Sequence, residues 1–325
     1  MKPMTENITD LTDRWFVIVN PVAGSGRGLV DFPQISRLLR NNDIHHDAVF
    51  TEHKYHATEL TVSAANQGYR RIIVVGGDGT LNEVVNGLFI QKAVKPHQIL
   101  LAVIAVGTGN DWVRTFGIPS HYSEAIRAIR EERSFLQDVG TITYTEAHYT
   151  QTRYMANVAG LGFDAFVIST YNHLKVKGYK GRWLYLFSIL RSYFRYKSAG
   201  VKIRVDGKVI FNDLMFSLAI GICKFNGGGV QQLPNALADD GLLDLTIFKP
   251  IHWWHIIFRL QKLFNGSIYD IGHVIHAQGR NVRIEASPML TLETDGELFG
   301  ETPVEINVVP RAIQVVVTKE FLGED

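Results

Sequence analysis

Cysteine is nearly absent from this chain of 325 residues: Cys223 stands alone. No internal disulfide can form, and its place in a strand-like apolar run reads as a buried thiol in a reducing compartment. An excess of one charge is missing too. Lysine and arginine number 33 against 32 acids, for a net charge of +1, so no global basic field recruits nucleic acid, and none is expected as a partner. No window of eighteen residues is both predominantly apolar and free of charge, which argues against a membrane span and leaves attachment to a membrane face open. Residues Met1 to Arg14 carry acids where a secretory signal needs a cationic start and an apolar stretch. The expected location is cytoplasmic, with membrane association left open.

The length exceeds that of a usual single domain and allows two cores. In the first third, one pattern occurs three times: an apolar β-branched run, a glycine-rich turn, then helical spacing. Trp15 to Val19 leads into Asn20-Pro21-Val22-Ala23-Gly24-Ser25-Gly26-Arg27-Gly28. Arg71 to Val75 leads into Gly76-Gly77-Asp78-Gly79-Thr80, and Ile99 to Val106 into Gly107-Thr108-Gly109-Asn110-Asp111. Uninterrupted apolar strands alternating with helices predict an α/β domain whose parallel sheet is covered on both faces. The three loops then share one edge, beyond the carboxyl ends of the strands, where such sheets bind ligands.

Glycine loops opening onto helix N-termini offer a phosphate close backbone approach and convergent N–H donors. The two commonest phosphate fingerprints are absent, since GxxxxGK[ST] does not occur and Leu29 breaks GxGxxG after Gly24 and Gly26. Asp78 stands between glycines at the top of a buried strand, where a purely structural residue is rarely a carboxylate; it can hold Mg²⁺, directly or through water, or accept a proton. Thr80 and Glu83 fit an N-cap with its capping-box partner. Thr108, Asn110 and Asp111 suit ribose hydroxyls, a base edge or a hydrated metal, with helix capping as the alternative.

From about Asp138 the texture changes to short alternating runs with turn signals, such as Val201 to Val205 before Asp206-Gly207, and Met215 to Cys223 before Asn226-Gly227-Gly228-Gly229. An antiparallel sandwich or barrel is expected. Trp183 to Lys197 interrupts it with aromatic and basic residues, and Trp253, Ile256, Ile257, Leu260 and Phe264 follow amphipathic helical spacing. Between Lys175 and Lys197 lie seven lysines and arginines and no acid, which suits either an anionic bilayer surface or a core-packed helix with a solvated basic side. His45, His46, His53 and His56 match no common zinc spacing and read as surface histidines.

Taken in order, Asn20-Pro-Val-Ala-Gly-Ser-Gly, Gly76-Gly-Asp-Gly-Thr-Leu-Asn-Glu and Gly107-Thr-Gly-Asn-Asp resemble the diacylglycerol kinase catalytic-domain family, which takes in the bacterial diacylglycerol kinases, the YegS-like lipid kinases and the relatives of sphingosine kinase. The likeness continues through Asn157 to Asp164, Ala238 to Asp244 and Asp295-Gly296-Glu297, and covers essentially the whole chain. It implies an N-terminal domain like those of NAD kinase and phosphofructokinase over 1–138, a C-terminal β-sandwich over 139–304, and a segment of about 305–325 that returns to the first domain, with the active site in the cleft. Carried over, Asn20, Pro21, Val22, Ala23, Gly24, Thr51, Gly77, Asp78, Gly79, Thr80, Leu81, Asn82, Glu83 and Thr108 contact ATP, and Glu297 accepts the proton. Asp240, with backbone oxygens near Leu237 and Leu242, corresponds to a structural magnesium site in which Leu237 replaces a carboxylate.

The implied reaction moves the γ-phosphate of ATP to a lipid hydroxyl, with Mg²⁺ as cofactor. Alignment and positive charge do most of the work in such a transfer, and a carboxylate in reach of the hydroxyl serves as general base. Glu297 is the candidate, Asp78 organises Mg²⁺, and Asp295 and Asp111 support them; Asp78 and Glu297 can also exchange roles. Without the resemblance, Asp295-Gly296 reads first as a solvent-exposed hairpin turn. Partners are then a lipid substrate and a membrane surface, with room for a homodimer. Two readings compete: a kinase of a soluble substrate in the manner of NAD kinase, and a regulatory nucleotide-binding module without catalysis.

Overall fold

The structure is a computed structural model that describes residues 11–146, 149–177, 179, 184–250 and 261–324. Two compact units divide the chain, one of Met1–Thr108, Phe116–Leu136 and Ile313–Asp325, the other of Gly109–Thr115 and Gln137–Ala312. Relative to the expected boundaries, the first unit stops two residues earlier, the chain returns to it at Ile313 instead of near 305, and Asn110 and Asp111 fall in the second unit. Side-chain bonds account for this last shift, because Trp112 Nε1 donates to Gln137 Oε1 at 3.0 Å and Asp111 is bonded to the turn at Gly228 and Gly229.

In the first unit, β1 (Trp15–Val19), β2 (His46–Phe50), β3 (Arg71–Gly76) and β4 (Leu100–Ala105) alternate with α1 (Ala23–Asn41), α2 (His56–Gln67) and α3 (Asp78–Ile90). The strands are parallel in the order β2-β1-β3-β4, and the returning end of the chain adds Gln314 and Val315 beside Leu100 and Leu101. Side chains alternate across a strand. Trp15, Val17, Val19, Ile73, Val75, Ala102 and Ile104 therefore share one face, where they pack with Ile35 and Leu39 of α1 and with Ile126 and Ile129, and Phe16, Ile18, Ile72 and Val74 take the opposite face, toward α2 and α3. Each fully buried isoleucine or leucine contributes about 1.5–3 kcal/mol.

The second unit begins with the short helix α4 (Asp111–Thr115). The next helix in the chain, α5 (Tyr122–Glu131), carries Ile126 and Ile129 and belongs to the first unit. The second unit then comprises β5 (Ser134–Glu146, crossing from the first unit at its start), β6 (Tyr149–Met155), β7 (Val158–Gly162), α6 (Phe163–Val176), α7 (Leu184–Tyr193), β8 (Ala199–Val205), β9 (Lys208–Met215), β10 (Ser217–Gly221), β11 (Leu243–Phe248), β12 (Val274–Gly279), β13 (Asn281–Ser287), β14 (Thr291–Thr294) and most of β15 (Glu297–Val316). One antiparallel path runs β12-β11-β10-β7-β14-β15, and β15 continues through β13 and β8 to β9, while β5 pairs with β6. β8 shows the alternating burial its sequence predicts. The aromatic and basic stretch supplies α7, whereas the amphipathic spacing at Trp253 to Leu260 lies outside the described residues.

The loop between β1 and the regular part of α1 is where glycine is required. Gly24, Ser25 and Gly26 have φ of 58, 61 and 97°, so the first turn of α1 is left-handed. A Cβ on Gly28 would sit 1.9 Å from the Asn20 carbonyl oxygen, whereas one on Gly26 would meet nothing within 4 Å. Gly28→Ala is therefore expected to cost about 3 kcal/mol by forcing backbone apart, and Gly26→Ala about 1 kcal/mol for its left-handed φ alone. Denaturant unfolding of the two variants checks the order, and equal losses would contradict this account of the loop.

Candidate active site

The exits of β1, β3 and β4 are tied to one another inside the first unit. Asn20, directly after β1, donates from Nδ2 to Thr80 Oγ1 at 2.9 Å and accepts the Val22 N–H on Oδ1 at 3.1 Å, so one side chain joins the first glycine loop to the second. The Val106 and Gly107 amides donate to the Gly76 carbonyl at 2.9 and 3.3 Å, joining the second loop to the third. A Cβ on Gly24 would lie 1.9 Å from the Val106 carbonyl oxygen, so the first loop lies directly on the third. Thr51 follows β2 at the same sheet edge, its N–H donating to the Val19 carbonyl at 2.8 Å. Asn20, Pro21, Val22, Ala23, Gly24, Thr51, Gly77, Asp78, Gly79, Thr80 and Thr108 are thus gathered at the carboxyl edge of one parallel sheet. Asp78 opens α3, where the helix N-terminus adds a field favourable to anions.

Leu81, Asn82 and Glu83, also expected to contact ATP, turn their side chains into α3 or toward α2. Leu81 and Asn82 are buried in α3, and Asn82 Oδ1 accepts Asn86 Nδ2 at 3.1 Å. Glu83 does not close a capping box with Thr80. Helix α3 starts earlier, with Gly77 as N-cap and no side-chain cap bond, and the Glu83 carboxylate accepts the Tyr55 and Ala57 amides at 3.0 and 3.1 Å. It thereby caps the start of α2, where the left-handed Tyr55 offers no side-chain cap of its own.

Asp111, at the start of α4, reaches a second run of glycines. Its buried carboxylate accepts the Gly228 N–H on Oδ2 at 2.8 Å and the Gly229 N–H on Oδ1 at 2.6 Å, which fixes the glycine turn that Asn226 and Val230 close. The Arg114 guanidinium stands 3.8 Å from the same carboxylate.

Asp295 and Gly296 form a two-residue hairpin turn between β14 and β15, with φ of 51 and 83° and Thr294 facing Glu297 across the ladder. Two successive positive φ angles are what an Asp-Gly turn supplies. Gly296, at the tip of the turn, is exposed and Asp295 partly so, as the hairpin reading expects. Glu297, the first residue after it, is half-buried, its Oε2 accepting Arg153 Nη2 at 3.2 Å, and that guanidinium lies 4.7 Å from the centre of the Phe299 ring. Asp295 Oδ1 lies 3.5 Å from the Nδ2 of buried Asn157, whose Oδ1 has no hydrogen-bond partner among the described residues. Sequence reasoning passed over the neighbour that holds this turn: Glu293, buried in β14, accepts the Gly296 N–H at 2.6 Å. Burial, with the charges of Asp164 and Asp111 adding to it, pushes the Glu293 carboxyl up to about 8.

At the turn expected to bind magnesium, Asp240 Oδ1 accepts the Leu242 N–H at 2.9 Å, and Leu237 is exposed. Asp138, fully buried and also missed, accepts the Gly241 and Arg311 amides, both at 2.6 Å. Burial raises both carboxyls above their ordinary range, and the charges of Asp239 and Asp240 raise Asp138 further. The charges of Asp244 and Asp239 raise Asp240 as well, and such a group of acids has the oxygen donors that suit a hard divalent cation.

Residues 14–142 match the diacylglycerol kinase catalytic domain, and residues 157–317 match the YegS C-terminal NAD kinase beta sandwich-like domain. The chain belongs to the diacylglycerol kinase catalytic-domain family. It is 26% identical to a diacylglycerol kinase of Staphylococcus carnosus (strain TM300) over 304 residues, which is 94% of this chain and 95% of that one. It is 28% identical to the diacylglycerol kinase of Staphylococcus aureus (strain MRSA252) over 310 residues, 95% and 94% of the two chains. A solved diacylglycerol kinase from Bacillus anthracis str. Sterne shares the fold with a TM-score of 0.70 at 24% identity over 95% and 98% of the two chains. Yeast NADH kinase shares it more distantly, with a TM-score of 0.51 at 12% identity over 94% and 84%.

Family membership makes this chain a kinase, and its fold an α/β domain with a parallel sheet followed by a β-sandwich. The histidines remain outside that chemistry. His53, His56 and Glu59 place one ligand atom each within 4.8 Å of one another, yet the His53 and His56 rings stack at 4.5 Å, and His56 Nδ1 accepts the Glu52 N–H at 3.0 Å. A neutral ring with an accepting Nδ1 carries its proton on Nε2, which blocks that nitrogen as a ligand.

Removing the Asp111 carboxylate leaves the Gly228 and Gly229 amides without a charged acceptor. Asp111→Ala is expected to lower stability by roughly 2–3 kcal/mol, read by thermal or denaturant unfolding, and Asp111→Asn, which keeps one acceptor oxygen, by less. Full stability of Asp111→Ala would show that the carboxylate does not hold the turn.

Proposed function

We propose that this kinase transfers the γ-phosphate of ATP to a lipid hydroxyl, with Glu297 as proton acceptor. The observation that carries the reading is the set of three glycine loops tied together at the carboxyl edge of the first unit's parallel sheet, a set suited to phosphates; the second unit carries a half-buried carboxylate bonded to Arg153. The names of the staphylococcal relatives, which align over nearly the whole chain, support a diacylglycerol-type acceptor.

In this reading the amides of the Asn20 to Gly28 loop and the start of α3 take the phosphates, and Thr51, Asp78 and Thr108 line the same edge. The glycines let the backbone approach where a side chain would intervene, and the ties among Asn20, Thr80, Gly76 and Val106 keep the donors aimed before the nucleotide arrives. Asp78, at the edge of this set, would hold the magnesium that accompanies ATP. Magnesium supplies charge neutralisation on the phosphates when bound. Glu297 takes the hydroxyl proton as the oxygen attacks, and Arg153 fixes the rotamer that presents it. A second magnesium would suit Asp240 and the backbone oxygens at Leu237 and Leu242, and Asp138 braces the same turn through the Gly241 amide; the ion's role there would be structural.

The acceptor is expected to be met at a membrane surface. Phe187 and Leu190 of α7 and Phe194 just beyond it follow i, i+3, i+7 spacing and are all exposed, as are Val176 and Tyr179, and exposed Arg191, Arg195 and Lys197 flank them. An apolar stripe beside cations suits an anionic bilayer. No helix of the described residues is long and apolar enough to cross a membrane.

Incubation with labelled ATP, Mg²⁺ and a panel of diacylglycerol, phosphatidylglycerol, a sphingoid base, ceramide and NAD identifies the acceptor. A labelled lipid is expected, and labelled NADP alone would favour the soluble-substrate reading. Glu297→Gln should lower kcat by roughly 10²–10⁴-fold; if folded Asp78→Asn and Glu297→Gln proteins both keep wild-type transfer, the assignment is wrong. In vesicle sedimentation, binding should rise with anionic lipid and fall in Arg191→Ala/Arg195→Ala, whereas equal binding to neutral and anionic vesicles would remove the membrane surface from the proposal.

A further inference from the structure

Glu293 faces Gly160 across the β7–β14 ladder. The place where a Gly160 side chain would begin is occupied: a Cβ there would lie 2.9 Å from Glu293 Oε2, 3.2 Å from Asp164 Cβ and 3.6 Å from Asp164 Oδ2. Two carboxyls thus close on one point over a strand that has no side chain to separate them. Asp164 Oδ2 also accepts Gln232 Nε2 at 3.0 Å, while Glu293 Oε1 accepts the Gly296 N–H.

The charged surroundings are acidic. Asp111 acts on Glu293, and the Tyr196 phenol faces Asp164. The cations bonded nearby are committed to other acids, Arg153 to Glu297 and Arg114 to Asp111. Glu293 is buried and Asp164 partly so, and ionising both over one bare strand position costs like-charge repulsion, so a proton is retained there. Burial pushes Glu293 up to about 8 and Asp164 to about 6, which assigns that proton to Glu293 at neutral pH.

We propose that Glu293, as a neutral carboxyl backed by Asp164, is a positioning residue for Glu297: it holds the Gly296 amide and so sets the direction in which the hairpin presents the proton acceptor. The proposal rests on Glu297 being that acceptor. In a two-residue hairpin the turn peptide has few bonds of its own, and Glu297 is the first residue after it. An inward anchor on Gly296 fixes the strand that carries Glu297. Loss of the Glu293 proton puts two charges over Gly160 and drives the Glu293 carboxyl, with the turn, away from Asp164.

The test compares Glu293→Gln and Glu293→Ala with wild type in kcat, ATP KM and thermal unfolding, each from about pH 5 to 9. Glutamine keeps an oxygen for the Gly296 N–H and has no proton to lose. It should retain near wild-type kcat at neutral pH and lack the fall in kcat that wild type shows near pH 8. Alanine removes the acceptor and should lower kcat by roughly tenfold to a hundredfold with ATP KM changed by less than about twofold. The unfolding series is independent of catalysis. A folded-state pKa raised from the ordinary 4.5 to about 8 means that the native state keeps a proton the unfolded state has released, so wild-type stability falls as pH rises through that window. Glu293→Gln lacks this loss, and its Tm advantage over wild type should grow from low to high pH. Asp164→Asn removes the second charge, so Glu293 ionises without repulsion over Gly160 and the alkaline fall in kcat should weaken or vanish.

Wild-type kcat in a folded Glu293→Ala, or pH profiles of kcat and Tm in Glu293→Gln that track wild type, would overturn the proposal. Should the alanine variant not fold, the glutamine profiles decide alone. Glu297→Gln separates the two ideas. If that variant retains turnover, the base assignment fails whatever Glu293 does; if it is inactive while both Glu293 variants behave as wild type, the base stands and the positioning role falls.

Discussion

A carboxylate accepting the backbone amides of a tight turn is the interaction on which most of this structure's functional geometry depends. Glu83 holds the Tyr55 and Ala57 amides, Asp111 those of Gly228 and Gly229, Asp138 those of Gly241 and Arg311, Asp206 those of Arg280 and Asn281, and Glu293 that of Gly296. Turns that bend through positive φ leave N–H groups with no strand or helix partner, and burying such donors unpaired costs about 1–3 kcal/mol each. A carboxylate satisfies two at once with charge-assisted bonds. The cost is desolvation of the charge, met at Asp138 and Glu293 by a raised pKa and at Glu83 by partial exposure.

The first unit solves the converse problem. A loop that binds phosphate, as proposed for those of this unit, needs donors that point outward, so its own acceptors must be few and its shape must come from elsewhere. Here shape comes from contact between backbones: Gly24 against the Val106 carbonyl and Gly28 against the Asn20 carbonyl. One asparagine spans the first two loops, and two amides on the Gly76 carbonyl join the others. The parallel strands beneath are buried on both faces, so the edge that carries these loops has little freedom to shift.

The strands, the βα alternation and the change to antiparallel texture were legible because each is local: period-2 or uninterrupted apolar runs report which faces are buried. Asp295-Gly296 was legible as a turn for the same reason. What was not legible was the partner of each acid. The Thr80 and Glu83 spacing fits a capping box, but the amides at Tyr55 and Ala57, some 28 and 26 residues away, won the carboxylate, because α2 begins without a side-chain cap. Asp111 looked like a ligand of the nucleotide by its place beside glycines, and its bonds reach 117 and 118 residues along the chain to another run of glycines. Glu293, two residues before a conspicuous Asp-Gly-Glu, carried no signal at all; only its register opposite Gly160 reveals it.

That register bears on how a kinase is built. Phosphoryl transfer gains most from alignment, and a displacement of about 1 Å can cost two orders of magnitude in rate. A general base next to a hairpin tip, as proposed for Glu297, is poorly placed for such precision, since tips are the loosest part of a sheet. The hairpin here is stiffened at both ends, by Arg153 on the Glu297 carboxylate and by Glu293 on the turn amide. The bare α-carbon of Gly160 makes the second brace feasible, because any larger residue would fill the space where Glu293 and Asp164 meet. A glycine in the middle of a strand weakens that strand by roughly 0.5–1 kcal/mol, and the return for that loss is room for two acids beneath the turn that carries the third.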